Sequence, residues 1–273
     1  MAFLQVEEIT IHYEIEGNGK PLIILHGMGN NSQSWKKQLK GLSKQFTVIA
    51  WDAPGYGKSS DPKAELKEFK QFADVLKGFI EKLNYESVTL LGHSMGSAIA
   101  LDFCFRFPHM VDALIISDAT RGSAALSKEE NEQKLKNRLM NIETLDPKEL
   151  AELRVKELLA PQPNSEIKKE AERIYSQIRP MGFRSVAYSL FSLNQMDILS
   201  SINVPTLVIC GELDKVTPVS ESQIFHDFIE DSKFVTIPGT GHLCYQEEPE
   251  RFNSIVLDFL CSLTKARDVT INH

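Results

Sequence analysis

The sequence predicts an α/β protein: a mostly parallel sheet, helices on both of its faces, and a helical segment inserted between two of its strands. Three observations carry this reading. Short runs rich in Val, Ile and Leu recur along the chain, amphipathic stretches alternate with them, and from about residue 121 to about residue 195 that alternation stops. Near-continuous apolar runs suit strands covered on both faces. Strand-then-helix alternation builds parallel sheets, because parallel neighbours need a long crossover between them.

The chain opens with two short strands of alternating polarity between Phe3 and Glu16, closed by the turn Gly17-Asn18-Gly19. These form the antiparallel edge. The apolar runs then follow at Pro21–Leu25, Phe46–Trp51, Ser87–Leu91, Val111–Ser117, Pro205–Cys210 and Lys233–Ile237. Amphipathic helices are expected at Ser34–Ser43, Lys67–Leu83, Ser94–Phe107, Pro218–Ile229 and Glu250–Leu263. The insertion reads as four helices, Ser127–Asn141, Pro147–Ala160, Ser165–Arg179 and Phe183–Leu193, broken by Pro161-Gln162-Pro163. The expected division is therefore 1–120 and 196–273 for the sheet domain and 121–195 for a helical cap. Ala266 to His273 reads as a frayed tail.

A chain of 273 residues buries enough surface to fold without disulfide staples. Its hydrophobic fraction of 42% and charged fraction of 25% are those of an ordinary globular protein. The formal charge of −7 argues against a nucleic-acid or anionic-membrane surface, both of which need clustered Lys and Arg. Cys104, Cys210, Cys244 and Cys261 form no C-x-x-C pair, so buried thiols are expected rather than a zinc site or a redox dithiol. Met1 to Glu8 lacks the features of a signal peptide, and no run approaches the ~20 apolar residues that span a bilayer. A cytoplasmic location is the expectation.

Gly92-His93-Ser94-Met95-Gly96 matches G-x-S-x-G, with an apolar strand before it and a helix-forming run after it. A serine at so tight a strand-to-helix turn needs small neighbours, and the turn lifts its hydroxyl clear of the sheet. The helix N-terminus then lies beneath the reacting carbon. Ser94 is the candidate nucleophile. His26-Gly27-Met28-Gly29 follows the first parallel strand, where a second oxyanion donor is needed. The Met28 and Met95 N–H groups are the candidate pair, with His26 a support for the loop.

Gly211-Glu212-Leu213-Asp214 follows another strand. A carboxylate at the C-terminal end of a parallel strand is where reacting groups gather in such sheets. Asp214 is preferred over Glu212 and over Asp118, which follows Val111–Ser117. Gly239-Thr240-Gly241-His242 follows the last strand, and its glycines allow the turn that brings an imidazole over the serine. Of the seven histidines, only His242 has this setting late in the chain. The order Ser94, Asp214, His242 is the one expected of this architecture. Cys244, two residues on, suits a lining role rather than a nucleophilic one. Gly57-Lys58-Ser59 ends like a phosphate loop, but Asp52 stands where the first glycine belongs, and Pro54 removes a backbone donor.

On these motifs the chain resembles the α/β-hydrolase superfamily outside the insertion. Asp52-Ala53-Pro54-Gly55-Tyr56-Gly57-Lys58-Ser59 is similar to its D-x-x-G-x-G-x-S loop, and Pro205–Ile209 to its strand leading to the acid. The resemblance implies an eight-stranded sheet with one antiparallel strand and a helical cap over the site. Serine at the elbow sets the chain apart from the haloalkane dehalogenases and epoxide hydrolases, which carry aspartate there. His93 and Leu243 depart from the asparagine and tryptophan usual in the carbon–carbon hydrolases. The proline-specific peptidases depend on an acidic cap pocket, which sequence does not reveal.

The expected activity is hydrolysis of a small carboxylic ester or lactone through an acyl-enzyme, with no metal and no cofactor. The alternatives are a carbon–carbon hydrolase of vinylogous diketones, a ligand receptor using the capped pocket, and acyl transfer to an acceptor other than water. The expected partner is a small-molecule substrate.

Overall fold

A computed structural model describes residues 2–271. The strands are β1 (Ala2–Val6), β2 (Ile9–Glu16), β3 (Lys20–Leu25), β4 (Phe46–Trp51), β5 (Val88–His93), β6 (Val111–Ser117), β7 (Thr206–Gly211) and β8 (Lys233–Ile237). They form one sheet in the order β1-β2-β4-β3-β5-β6-β7-β8. β2 runs antiparallel to both neighbours, and every later pairing is parallel. The central strands β5 and β7 are buried along their whole length, as continuous apolar runs require.

Helices α1 (Lys36–Leu42), α2 (Phe69–Lys82) and α3 (Met95–Arg106) cross between the early strands. α4 (Lys128–Thr144), α5 (Pro147–Leu158), α6 (Ser165–Tyr175) and α7 (Pro180–Ser192) occupy the segment between β6 and β7. Their starts are written in the side chains. Ser127 and Asp146 each form a reciprocal capping box with the glutamate three residues on. Asn164, not Ser165, caps α6. α7 begins at Pro180, earlier than expected, because proline's fixed φ suits the first helical position. The expected helix from Ser34 starts as a 3-10 turn over Ser32–Trp35, capped by Asn31.

Two short helices were not legible in the sequence, α8 (Met196–Leu199) and α10 (Cys244–Glu247). Four residues are too few to show a period. α9 (Val219–Phe228) lies between β7 and β8. α11 (Pro249–Ile271) runs through most of the expected tail, while Asn272 and His273 lie outside the described residues.

Register decides where the chemistry gathers. Leu25 pairs with Gly92, His93 with Ser117, and Gly211 with Ile237. The loops after these parallel strands therefore leave the sheet at one edge. Beneath that edge Trp35 stacks on Tyr245 with centroids 3.8 Å apart, and Phe252 packs against both. All three are fully buried, and each such side chain contributes roughly 1.5–3 kcal/mol of hydrophobic stabilisation.

Candidate active site

Ser94 joins β5 to α3 with φ 52° and ψ −115°. A non-glycine residue there carries ~1–3 kcal/mol of backbone strain, held by its surroundings. The Ser94 N–H donates to the Ser117 carbonyl at 2.9 Å, and its own carbonyl accepts from Ser97 and Ala98. The flanking glycines are a matter of space: a Cβ on Gly92 would strike the Gly96 carbonyl, and one on Gly96 would strike that of Leu25. Met95 is the first residue of α3, where a backbone N–H has no partner within the helix. The β3 loop lies against the same point, since a methyl group on Gly27 would sit 3.2 Å from Ser94 Cβ.

His26 supports that loop, as expected of it. Its Nδ1 is 2.9 Å from the Gly27 carbonyl and its Nε2 accepts from Ala53 N–H at 3.0 Å, which fixes one neutral tautomer. Burial lowers its pKa, consistent with a neutral ring. The Gly57-Lys58-Ser59 loop folds on a carboxylate of its own, with Lys58 N–H donating to Asp52 at 2.8 Å.

Asp214 and His242 meet. His242 Nδ1 lies 2.7 Å from Asp214 Oδ2, and both residues are buried. Asp214 Oδ1 also accepts from the Val216 and Thr217 N–H groups at 2.7 and 3.1 Å, and Thr217 Oγ1 is 2.7 Å from Oδ2. Burial pushes this carboxyl up, but the imidazole charge and these hydrogen bonds more than offset it, holding it below the usual carboxylate range. For His242, burial disfavours the charged ring, yet Asp214 beside it holds the pKa above the ordinary histidine value. Thr217 was missed in the sequence. Its signal is there, since an Asp followed two and three residues later by free N–H groups is an Asx turn.

Asp118 and Glu212 fall differently. Glu212 is exposed and accepts from Gly239 N–H at 2.9 Å. Asp118 is fully buried beside the pair but accepts from Gly211 N–H, Ser117 Oγ and Cys244 Sγ at 2.9, 2.6 and 3.1 Å. Burial and the Asp214 charge raise its pKa well above the carboxylate range. Cys244 is sealed in, and burial drives its thiol far up, so it is no nucleophile. One ligand-type atom each from Asp118, Asp214 and His242 lies within 4.8 Å of the others, a spacing that would admit a cation. Their oxygens already accept N–H, O–H or S–H donors, which favours a hydrogen-bonded network over a metal centre.

His93 is the second residue whose role was not legible. Its Nε2 is 2.7 Å from the His242 carbonyl, and burial together with the nearby His242 ring takes its pKa down to about 3. Neutral and protonated on Nε2, it props the backbone of His242.

Ser94, His242, Met28 and Thr217 line one cavity of about 320 Å³, which residues of α4, α5, α6 and α7 also line, among them Asn131, Arg138, Arg154, Leu158, Tyr175 and Leu190. That volume lies at the small end of ligand pockets, roughly 300–1,000 Å³.

Residues 20–249 match the family described as alpha/beta hydrolase fold. A proline iminopeptidase from Heyndrickxia coagulans is 28% identical over 92% of this chain and 94% of its own length. A 2-hydroxy-6-oxo-6-(2'-aminophenyl)hexa-2,4-dienoic acid hydrolase from Metapseudomonas resinovorans is 28% identical over 98% of this chain and 92% of its own. Among solved structures, a thermophilic esterase from Thermogutta terrifontis superposes with a TM-score of 0.86 at 25% identity, covering 93% of this chain and 94% of that one.

Proposed function

The chain belongs to the α/β-hydrolase family, and from that premise we propose that it hydrolyses small carboxylic esters or lactones with Ser94 as nucleophile, His242 as general base and Asp214 as the residue that orients the histidine. One observation carries the reading. A serine held at positive φ on a strand-to-helix turn shares a cavity with a buried imidazole whose far nitrogen is bound to a carboxylate 2.7 Å away.

In this mechanism His242 Nε2 takes the Ser94 proton as Oγ attacks the substrate carbonyl. The carbonyl π electrons move to oxygen, and the Met28 and Met95 N–H groups hold that oxyanion. Each such donor is worth ~2.7–4 kcal/mol of transition-state stabilisation. Collapse of the intermediate expels the alcohol, which receives the proton from His242, and leaves the acyl group on Ser94. Water, deprotonated by the same imidazole, then attacks the acyl-enzyme, and as the Ser94 Oγ–acyl bond breaks His242 returns that proton to Oγ and the acid is freed. Asp214, fixed by Thr217, keeps Nδ1 protonated and stabilises the imidazolium. The helices from residue 121 to 195 act as the cap that shapes the pocket and excludes water.

A second reading, carbon–carbon bond hydrolysis, is favoured by the Metapseudomonas resinovorans relative. Peptidase chemistry on a free amino terminus fits less well. The cavity's one carboxylate, Glu221, is already clamped by Arg121 Nε and Nη2 at 2.9 and 2.6 Å.

The test is turnover of p-nitrophenyl esters of graded acyl length by the wild type and by Ser94→Ala. Activity that falls to background in the variant supports the reading. An inert wild type sinks the esterase reading and brings forward the carbon–carbon and receptor alternatives, and equal activity in both proteins refutes the site. Added alcohols that divert the product would reassign the reaction to acyl transfer.

A further inference from the structure

Four cationic side chains line the cavity above Ser94 and His242: Lys134, Arg138, Arg154 and Lys215. Its single carboxylate, Glu221, is engaged by Arg121. A chain of net charge −7 thus turns a positive wall toward its own site. The placement is specific. Lys134 and Arg138 are four residues apart on α4 and so share a face. Arg154 comes from α5, and Lys215 follows Asp214 in the loop after β7. The same four line an adjoining cavity of about 770 Å³, so they stand where the two spaces meet.

Surface lysines and arginines usually extend into water or pair with a carboxylate. Arg138 is half-buried and, among the described residues, has neither an ion pair nor a hydrogen bond. Burial and the like charge of Arg154 beside it push its guanidinium down to about 10. Arg154 pairs with Glu157, yet both guanidinium groups also bear on the buried Tyr175 hydroxyl. Glu157 pairs with Arg154, which leaves Arg138, beside a like charge, without a carboxylate partner among the described residues. A carboxylate matches the guanidinium fork in shape and supplies the missing charge.

We propose that Arg138 and Arg154, with Lys134 and Lys215 beside them, form an anion subsite that binds a carboxylate carried by the substrate at a short remove from its scissile carbonyl. This rests on the hydrolase reading of Ser94 and narrows it: the substrates are half-esters or lactones of dicarboxylic acids, or other oxo- and ester-bearing acids. A free amine in the same place would meet four cations and no available carboxylate. Because the cluster is partly open to solvent, its selectivity weakens as ionic strength rises.

The test separates binding from turnover. Ser94→Ala protein, which leaves the cationic wall intact, is titrated calorimetrically at pH 7 with the monomethyl esters of succinate, glutarate and adipate and with the matching neutral dimethyl esters. At least one monoanion should bind about tenfold or more tightly than its diester, the difference shrinking in 0.5 M salt. Arg138→Gln with Arg154→Gln should abolish the preference. The exposed pair Lys134→Gln and Lys215→Gln, which poses little risk to folding, should weaken it several-fold. Equal affinity for the mono- and diesters, no monoanion binding at millimolar concentration, or a preference that survives both pairs of substitutions would overturn the subsite. The hydrolase reading fails by a different sign, the absence of Ser94-dependent turnover by the wild type on any ester of either charge.

Discussion

His93 Nε2 lies 2.7 Å from the backbone carbonyl of His242, so the residue next to Ser94 fixes the main chain of the histidine that faces it. The two loops leave different strands, 149 positions apart in sequence, and this bond sets their distance. His93→Leu should fill the space but leave a buried carbonyl unpaired, at ~1–3 kcal/mol of stability. It should also lower kcat/KM by about tenfold or more, since small misplacements of a reacting group are costly. Chemical denaturation and ester kinetics on the same preparation check both. A variant with wild-type kinetics would show that the bond is only structural.

Asp118 faces the Asp214–His242 pair without bonding to the imidazole, and its charge helps to raise the His242 pKa. A base whose folded pKa is raised loses its neutral form at a higher pH, so the acid limb of kcat/KM should have its midpoint above 6.5. Asp118 itself is pushed up to about 7 by burial and the Asp214 charge, so it is only part-ionised in this range. Asp118→Asn removes that partial charge and should move the midpoint to lower pH by a small step. A pH–rate profile of both proteins measures it. An unchanged or upward-shifted midpoint would remove Asp118 from the electrostatics of the site.

Asp52 gathers Ser32 N–H at 2.6 Å, Lys58 N–H at 2.8 Å and His12 Nδ1 at 2.7 Å in a nearly fully buried position. Burial raises its pKa, but the His12 and backbone hydrogen bonds outweigh that and lower it. A depressed carboxyl pKa contributes stability above the unfolded value and loses it as pH falls through the folded one, so this contribution should fade below pH 3.8. Asp52→Ala leaves buried donors unpaired and should cost ~2–5 kcal/mol near neutral pH, read from denaturant midpoints.

The four cysteines are free, three of them buried and Cys261 partly exposed on α11. A thiol reagent should label Cys261 alone in the native protein and Cys104, Cys210 and Cys244 only on unfolding, as mass spectrometry of digests would show. Native labelling of Cys244 would mean that the site opens more than its packing implies.

What was legible in the sequence follows from range. The sheet strands read well because a strand covered on both faces is a local, continuous signal, and the elbow reads well because Gly92 and Gly96 are required by contacts within and beside one turn. Asp214 and His242 were singled out from their strand-end positions, and the fold brings their side chains to 2.7 Å. The supports were not. Asp118 and His93 act across strands, and nothing local marks a buried carboxylate that its neighbours hold away from the imidazole. The cationic wall was hidden for another reason: α4 buries only Asn131 among its described residues, so its polar pattern does not say which face turns toward the site.

The central claim is that Ser94 is a nucleophile activated by His242. The most direct measurement is intact-protein and peptide mass spectrometry after exposure to a fluorophosphonate, which bonds to an activated serine oxygen with loss of fluoride. A single adduct on Ser94, absent from Ser94→Ala and formed far more slowly in His242→Ala, is the predicted result. An adduct on another residue, or a wild type that remains unmodified, would contradict it.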